Sequence, residues 1–286
     1  MPMKNSDQAE RLRQLTKGAP AGTFLKHGRT RKPPRIISVV SGRGGVGKSF
    51  FTLNIGCFWA LKGKNTLLVD ADYALGNLDY MLGLNPEYSI QHLITGKASF
   101  EKVVLNGPWG LKLVPGMAGL NGNPTLPGNF SNGIIRDLAM HDNWADILLC
   151  DTTSGISEPT VDIIKSSDEM ILITTPETAS VIDLFAMIKF LHQKLGSEIP
   201  RMRFVVNRVT SRNEGRKVAA SLRSVIGRYL GRGIHYLGAI PADPEVDKAS
   251  RKHIPFIRHA PTSPAARLME DIAFMLMDEW DNPLNA

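Results

Sequence analysis

The sequence predicts an α/β protein in which a doubly wound, mainly parallel sheet is covered by helices on both faces. Seven apolar runs of strand length recur along the chain, and continuous runs of this kind are typical of strands buried on both sides. Segments of helical length separate several of the runs, as expected when crossover helices join parallel strands. A Gly-rich segment directly follows the first run, which indicates a tight turn from strand into helix.

The elements are assigned in chain order from these patterns. The predicted strands are Ile36–Val40, Thr66–Val69, Leu111–Val114, Ile147–Cys150, Met170–Ile173, Phe204–Val206 and Tyr236–Ile240. Helices are predicted at about residues 50–62, 180–195 and 213–230. The stretch Pro115–Asn132 is rich in Gly, Pro and Asn, so it is predicted to be a long surface loop.

The last predicted element is an amphipathic helix over residues 264–280 that packs on the core. Its apolar positions recur at helical spacing: Leu268, Ile272, Met275, Leu276 and Trp280.

Composition places the chain among ordinary globular proteins. Of its 286 residues, 43% are hydrophobic and 21% are charged, which excludes a wholly disordered chain. Cys57 and Cys150 both lie inside apolar runs, so a disulfide framework is not expected and a reducing compartment is. The chain contains no run of about 18 apolar residues and no secretory signal pattern, so the expected location is the cytoplasm.

Charge is distributed unevenly along the chain. Residues 1–35 hold nine basic and two acidic residues, which accounts for the whole net charge of +7. We therefore predict a basic arm over 1–35 and a compact domain over 36–286. Within the domain, residues 201–232 carry nine basic residues and one acid, whereas the last 26 residues carry one basic residue and five acids. The arm and the 201–232 segment are the candidate contacts for acidic partners.

The Gly-rich segment Gly42–Ser49 fits the pattern G-x-x-x-x-G-K-[ST], with a strand before it and a helix after it. Glycines let the backbone curl so that successive N–H groups face one anion, and the helix N-terminus adds a positive end. Lys48 can reach the β- and γ-phosphates of a nucleotide, and the Ser49 hydroxyl can bind Mg²⁺. The alternative is a chance Gly-rich turn. The predicted nucleotide contacts here are Gly42, Gly44, Gly45, Val46, Gly47, Lys48, Ser49 and Phe50.

Carboxylates follow two of the predicted strands. Asp70 and Asp72 end the second strand, and Asp151 ends a later one; the carboxyl ends of parallel strands meet at the crevice where such sheets bind ligands. Asp151, after four apolar residues, is predicted to hold Mg²⁺. Asp72 is the candidate for orienting an attacking water. Asp70 either supports the metal site or caps a helix or turn.

The motifs Ser-Gly-Arg-Gly-Gly-Val-Gly-Lys-Ser, Asp-Ala-Asp and Asp-Thr-Thr-Ser-Gly resemble those of the MinD/ParA group of P-loop ATPases, which have the SIMIBI-type fold. The resemblance runs from about residue 35 to residue 280. Within the group, the chain is most similar to the FlhG (FleN) family of flagellar regulators. Asp70–Asp79 resembles that family's D-x-D-x-x-x-x-N-x-D stretch, and Asp7–Arg13 resembles its N-terminal D-Q-A-x-x-L-R element.

The resemblance implies an ATPase that binds ATP or ADP with Mg²⁺ and forms a homodimer around ATP. It implies that Asn207 recognises adenine, with Arg208 beside it and Pro241 and Asp243 on the opposite wall. An Asn amide is chemically suited to an adenine edge. However, a lone Asn at the end of a strand is more often a turn residue.

One residue of the loop departs from the family pattern. Arg43 stands where these ATPases carry a second lysine that crosses the dimer to the partner's phosphates. Arginine keeps the charge but is bulkier and differently hydrated. We count Arg43 with Asp72 and Lys48 as a candidate catalytic residue, and we expect retained ATP binding with slow hydrolysis. The alternative is that Arg43 only covers the loop.

The resemblance also implies partners. Asp7, Gln8, Leu12 and Arg13 are expected to dock on an SRP-type GTPase of the FlhF kind. Related proteins end in a basic, lipid-binding helix, but the helix here is acidic, so membrane binding is expected to be weak or indirect. Recruitment to the cell pole or the inner membrane surface would then need the arm or a partner. Residues 201–232 either bind nucleic acid without sequence preference or form a solvated helix face.

Three functions follow from these observations. The first is an ATP-driven dimerisation switch that controls flagellar number or position. The second is a ParA-like ATPase that partitions DNA or cargo. The third is a scaffold that uses bound nucleotide structurally without hydrolysing it.

Overall fold

A computed structural model of the chain describes residues 33–72, 76–116, 133–141, 144–231 and 233–281. The strands are β1 (Arg35–Val40), β2 (Thr66–Ala71), β3 (Leu105–Asn106), β4 (Lys112–Val114), β5 (Ile147–Thr152), β6 (Glu169–Thr174), β7 (Arg201–Val209) and β8 (His235–Pro241). The first six helices are α1 (Lys48–Leu61), α2 (Leu78–Met81), α3 (Ile90–Ile94), α4 (Phe100–Val103), α5 (Ile134–Met140) and α6 (Glu158–Ser166). The others are α7 (Thr178–Leu195), α8 (Arg212–Leu230), α9 (Glu245–Arg251), α10 (Phe256–His259) and α11 (Pro264–Asp281), and 3₁₀ turns span Pro108–Gly110 and Gly196–Glu198.

The strands form one sheet in the order β3-β4-β2-β5-β1-β6-β7-β8. All neighbouring pairs are parallel except β3 with β4, at one edge. In the register of β2 and β5, Asp70 lies directly opposite Asp151. The carboxyl ends of β1, β2, β5, β7 and β8 therefore meet at one edge of the sheet, where a parallel sheet binds its ligands.

Alternate side chains along each central strand enter different apolar layers. In β1, Ile37 and Val39 pack with α1, α10 and α11 on one face. On the other face, Ile36 packs with α5 and α6, and Val40 packs with α7 and α8. Both faces of the sheet are covered, so the predicted doubly wound α/β fold is confirmed.

Each of the seven predicted strands is present, and the three predicted helices are α1, α7 and α8. The sequence pattern did not predict β3, the helices α2 to α6, or the short helices α9 and α10. Arg35 belongs to β1 rather than to the arm, because its backbone pairs with Ile147 of β5, and its guanidinium also contacts Glu169 at 3.0 Å. The Asp7–Arg13 element, and most of the predicted loop Pro115–Asn132, lie outside the described residues.

The predicted closing helix is α11, and it packs on the core as expected. One predicted packing residue was wrong, since Met275 is 38% exposed. Its neighbour Leu276 is fully buried, so the buried face of the helix includes Leu276 but not Met275. None of the helices that the structure describes combines the length and apolar character needed to span a bilayer.

A buried charge cluster joins α11 to the amino ends of the central strands. The Arg203 guanidinium is fully buried and forms ion pairs with Glu169 and Glu279. Arg201 adds a second contact to Glu279 at 3.3 Å. Hydrogen bonding and charge from Arg203 hold the pKa of Glu279 below its usual value. The last helix is therefore fixed to the sheet by paired charges as well as by apolar packing.

Candidate nucleotide-binding site

The Gly-rich loop leads from the end of β1 into the first turn of α1. Gly45 and Gly47 have φ of 77° and 93°, in the left-handed region that favours glycine. Gly47 occupies the N-cap position of α1, and no side chain there caps the helix. The free N–H groups of the first helical turn therefore remain available to an anion.

Two of the loop glycines are required by close contacts. A Cβ atom on Gly42 would overlap the backbone of Asp183 in α7. A Cβ atom on Gly47 would overlap the side-chain amide of Asn207. That amide donates a 2.8 Å hydrogen bond to the carbonyl of Val46. The loop is thus held between the backbone of α7 and the end of β7, which gives its curl a fixed position.

Lys48 and Asp151 form a buried ion pair at the centre of the site. The Lys48 ammonium lies 2.8 Å from Oδ1 of Asp151, and the two side chains are 4% and 1% exposed. Thr52, one helical turn after Lys48, has its hydroxyl 3.2 Å from the same oxygen. The residue predicted to hold phosphate and the residue predicted to hold metal are therefore in direct contact.

Asp70 has both carboxylate oxygens occupied by backbone donors. The amide of Asp72 donates to Oδ1 at 3.1 Å, and the amide of Leu78 donates to Oδ2 at 3.0 Å. Burial and the nearby charge of Asp151 raise the pKa of Asp70 to about 7. The structure thus gives Asp70 the turn-capping role that sequence analysis had left open, and its metal role stays a prediction.

Asp72 lies half-buried just after β2, with its amide on the carboxylate of Asp70. The segment that follows β5 is held beside the start of the Gly-rich loop, because the amide of Gly155 donates to the carbonyl of Ser41 at 2.8 Å. Gly155 has a φ of 81°, so this contact uses backbone geometry that favours glycine. The segments that follow β1 and β5 are therefore linked by a backbone hydrogen bond.

A pocket of about 320 Å³ opens beside the loop. Its lining is Gly47, Phe50, Asn207, Arg208, Ile240, Pro241, Ala242, Asp243, Val246 and Asp247. The set brings together all four residues expected around adenine. Asn207 is 4% exposed and has its amide nitrogen on the Val46 carbonyl, so it fixes the loop as well as facing the pocket. Arg208 has a φ of 59° at an irregularity between β7 and β8.

Thr52 and the pocket residues Ile240, Ala242, Val246 and Asp247 were not predicted from the sequence. Thr52 could have been found, because a hydroxyl four residues after Lys48 lies on the same face of the helix. The amide of Glu245 donates to the Asp243 carboxylate at 2.9 Å, which places α9 as the outer wall of the pocket. Nothing in the local pattern after Pro241 signalled that arrangement.

The site fits a magnesium ion that is completed by a nucleotide. Oδ2 of Asp151 is buried and has no hydrogen-bond partner among the residues the structure describes. The same part of the chain contains no group of three or more His, Cys, Asp or Glu side chains that could hold a metal alone. Mg²⁺ usually binds one or two protein oxygens and takes its other ligands from phosphates and water. Ser49 and Asp151 supply donors of that kind.

Arg43 is exposed on the outer side of the loop, and its guanidinium makes no ion pair with any described residue. Ser49 is half-buried in the first turn of α1. Arg43 is therefore more accessible to a second molecule than Ser49 is.

Comparison with known proteins identifies the fold. The family model for the CobQ/CobB/MinD/ParA nucleotide binding domain matches residues 37–256. The antiactivator FleN of Pseudomonas aeruginosa is 32% identical over 253 residues, covering 88% of this chain and 89% of FleN. The flagellum site-determining protein YlxH of Helicobacter pylori is 28% identical over 285 residues, covering 96% of this chain and 92% of YlxH.

A solved structure gives the same result. MinD in the MinC:MinD cell division complex of Aquifex aeolicus superposes with a TM-score of 0.71 at 26% identity, covering 86% of this chain and 96% of that one. The predicted likeness to the FlhG (FleN) proteins is thereby confirmed. With the P-loop, its paired Lys48 and Asp151 and the matched residues all in place, the chain belongs to the MinD/ParA family of nucleotide-binding P-loop ATPases.

Proposed function

We propose that this protein is an ATP-hydrolysing switch that dimerises with ATP and controls the number or position of flagella. The observation that carries the proposal is the arrangement at the carboxyl end of the sheet. The turn of backbone N–H groups, the buried Lys48–Asp151 pair and a pocket of about 320 Å³ lie together at this edge. The flagellar role rests on the similarity to FleN and YlxH.

The Lys48–Asp151 ion pair explains how both side chains can stay buried without a nucleotide and still bind phosphate and metal when one arrives. A buried charge needs a partner, and Lys48 and Asp151 satisfy each other. When a nucleotide binds, triphosphate oxygens would replace Asp151 as the partner of the Lys48 ammonium. Mg²⁺ bound to Asp151 and Ser49 would replace Lys48 as the partner of the Asp151 carboxylate and would neutralise phosphate charge. No buried charge is left unpaired in either arrangement, so binding does not carry that penalty.

Asp72 is the residue proposed to orient the attacking water, and Lys48 would stabilise charge that develops on the transferred phosphoryl group. Asp70 acts through its neighbours, because it accepts the amide of Asp72 and thereby positions it. An Asp72→Ala variant is expected to bind ATP and hydrolyse it far more slowly than the unaltered chain. Comparable single-turnover rates would contradict this assignment and favour a scaffold that retains intact ATP.

Dimerisation is tested by sizing the full chain with light scattering in ADP and in ATP, with Asp72→Ala used to preserve the triphosphate. A monomer in ADP and a dimer in ATP are expected, because the γ-phosphate would add contacts available only between two copies. A monomer under both conditions, with ATP bound, would overturn the switch.

Arg43 is proposed to reach the phosphates of the second copy, since it is exposed at the rim of the loop. Arg43→Ala is expected to bind ATP yet lose ATP-dependent dimerisation, and Arg43→Lys is the control that restores the family's usual residue. If Arg43→Ala matches the unaltered chain in both dimerisation and hydrolysis, the side chain only covers the loop.

The proposed partner is an FlhF-type GTPase that binds Asp7–Arg13 of the arm. Gln8→Ala is expected to abolish stimulation of that GTPase while ATP binding stays unchanged. Stimulation that survives deletion of residues 1–35 would contradict the role of the arm. Because α11 is acidic, we expect little direct binding to anionic vesicles, and recruitment to the pole or the membrane surface would pass through the partner.

A second candidate is a ParA-like partition ATPase that binds DNA. It is favoured by one observation, a basic outer face on α8. The exposed residues there are Arg212, Arg216, Lys217, Arg223 and Arg228. ATP-dependent DNA binding whose affinity falls steeply with salt would support this candidate. The absence of such binding, together with GTPase stimulation by the arm, would exclude the partition ATPase and favour the flagellar switch.

A further inference from the structure

Thr52 is a polar residue of α1 that lies beside the Lys48–Asp151 ion pair. It follows Lys48 by one helical turn, so the two side chains leave the helix on the same side. Its hydroxyl oxygen lies 3.0 Å from the carbonyl oxygen of Lys48 and 3.2 Å from Oδ1 of Asp151. Thr52 and Asp151 are both fully buried, so their contact is shielded from bulk solvent.

The two carboxylate oxygens of Asp151 have different surroundings. Oδ1 lies 2.8 Å from the Lys48 ammonium and also within reach of the Thr52 hydroxyl. Oδ2 is buried and has no hydrogen-bond partner within the described parts of the chain. Protein donors therefore hold one oxygen of Asp151, and the other oxygen is the one left for a ligand.

Nucleotide binding would change the partners of Oδ1. In the exchange proposed for this site, the Lys48 ammonium leaves Asp151 and pairs with phosphate oxygens. Of the two donors that the structure places on Oδ1, Thr52 would then remain. A hydroxyl has one proton to donate, and a carboxylate makes a stronger acceptor than a backbone carbonyl. The Thr52 proton would therefore go to Asp151 rather than to the carbonyl of Lys48.

A hydrogen bond to Oδ1 matters for the metal because it fixes how the carboxylate is rotated. Hydrogen-bond partners that orient a metal-binding carboxylate commonly contribute about 10–100-fold to metal affinity. Without the hydroxyl, Oδ1 would become a buried acceptor with no protein donor as soon as Lys48 moved to phosphate, and a buried polar atom without a partner is costly. The orientation of Oδ2 would also no longer be held.

We propose that Thr52 is a positioning residue for Mg²⁺, whose hydroxyl holds Oδ1 of Asp151 so that Oδ2 faces the metal while Lys48 is on phosphate. This inference rests on the proposed nucleotide and magnesium site and adds a residue to it. A Thr hydroxyl inside a helix often bonds only to the carbonyl four residues earlier. The second contact, to Asp151, is what gives Thr52 a role beyond the helix.

The test measures the affinity of the full chain for ADP by calorimetry, once in EDTA and once in saturating Mg²⁺. The ratio of the two affinities reports how strongly the site couples nucleotide to metal. Thr52→Val keeps the shape of the side chain without the hydroxyl, and Thr52→Ala is a second variant without it. Both are expected to bind ADP in EDTA as the unaltered chain does, with the ratio lowered at least about tenfold. Thr52→Ser keeps the hydroxyl and should restore most of the ratio.

The matched control is Ser167→Ala, which removes a buried hydroxyl that donates to the carbonyl of Ile163, four residues earlier, at 2.8 Å. It should leave the ratio unchanged. If Thr52→Val and Thr52→Ala keep the full ratio, the hydroxyl serves only the helix and the proposal is wrong. Weaker ADP binding in EDTA, by as much as in Mg²⁺, would also overturn it, since the role would not be at the metal. An unaltered chain that binds no ADP would instead contradict the nucleotide site itself.

Discussion

The contact between Gly47 and Asn207 makes a quantitative prediction about the P-loop. Gly47→Ala places a methyl group where the Asn207 amide lies, and that amide donates to the carbonyl of Val46 at 2.8 Å. The substitution also forces alanine into a φ of 93°. The left-handed backbone costs about 1–2 kcal/mol, and loss of the buried hydrogen bond costs about 1–3 kcal/mol.

Gly45→Ala is the matched control. Gly45 has a φ of 77°, but a Cβ atom there would have no heavy atom within 4 Å. Both substitutions pay the backbone cost and both restrict the unfolded chain equally, so those effects cancel in the difference. Gly47→Ala should therefore lower the free energy of unfolding by about 1–3 kcal/mol more than Gly45→Ala does.

The assay is urea unfolding of the nucleotide-free protein, repeated in an Asn207→Ala background. Removing the amide removes the overlap, so the extra cost of Gly47→Ala should largely vanish in that background. Equal destabilisation by the two glycine substitutions, or an extra cost that persists without Asn207, would refute the proposed clamp on the loop.

Three further predictions concern buried charge. Lys48→Met should lower the free energy of unfolding by about 3–5 kcal/mol at pH 7, because Asp151 is left as an unpaired buried carboxylate, and adding Asp151→Asn should recover much of this in urea unfolding. Arg203→Met should cost about 3–5 kcal/mol for the same reason, which denaturation would detect; a change below about 1 kcal/mol would contradict the buried cluster. Burial and then the charge of Arg203 lower the pKa of His235, so unfolding takes up a proton below the ordinary pKa of about 6.5 and stability falls as the pH decreases. The loss between pH 7 and pH 5 should be smaller in His235→Gln, and an identical loss would show that His235 does not contribute.

Sequence patterns predicted the central sheet well because its strands are buried on both faces. Continuous apolar runs such as Ile147–Cys150 are typical of strands that are covered on both sides. The two-residue strand β3 pairs at the edge with β4 alone, so it needs no apolar run. The helices α2, α3 and α4 are four or five residues long, which is too short for a periodic signal.

Some parts of the candidate site could be predicted from the sequence and others could not. The P-loop and Asp151 were identifiable because their chemistry is contained in consecutive residues. The role of Asp70 was not, because its carboxylate accepts the amide of Leu78, eight residues later, and no local pattern signals that hydrogen bond. The Asn207 clamp joins β7 to a loop more than 150 residues earlier in the chain, and only the fold brings the two together.

The acidic residues of α11 could be predicted from the sequence only in part. The acidic end of the chain was visible in the sequence, and the structure assigns part of it to the fold through Glu279 and Arg203. Sequence alone could not separate those acids from Asp271, because both lie on the same helix. Burial on one side of α11 makes the distinction.

Calorimetric titration of ATP with magnesium into the full chain tests the central claim most directly. One saturable site per chain is expected, with the binding heat lost in Lys48→Ala while circular dichroism shows that the variant remains folded. An unaltered, folded chain that takes up no ATP or ADP would contradict the account.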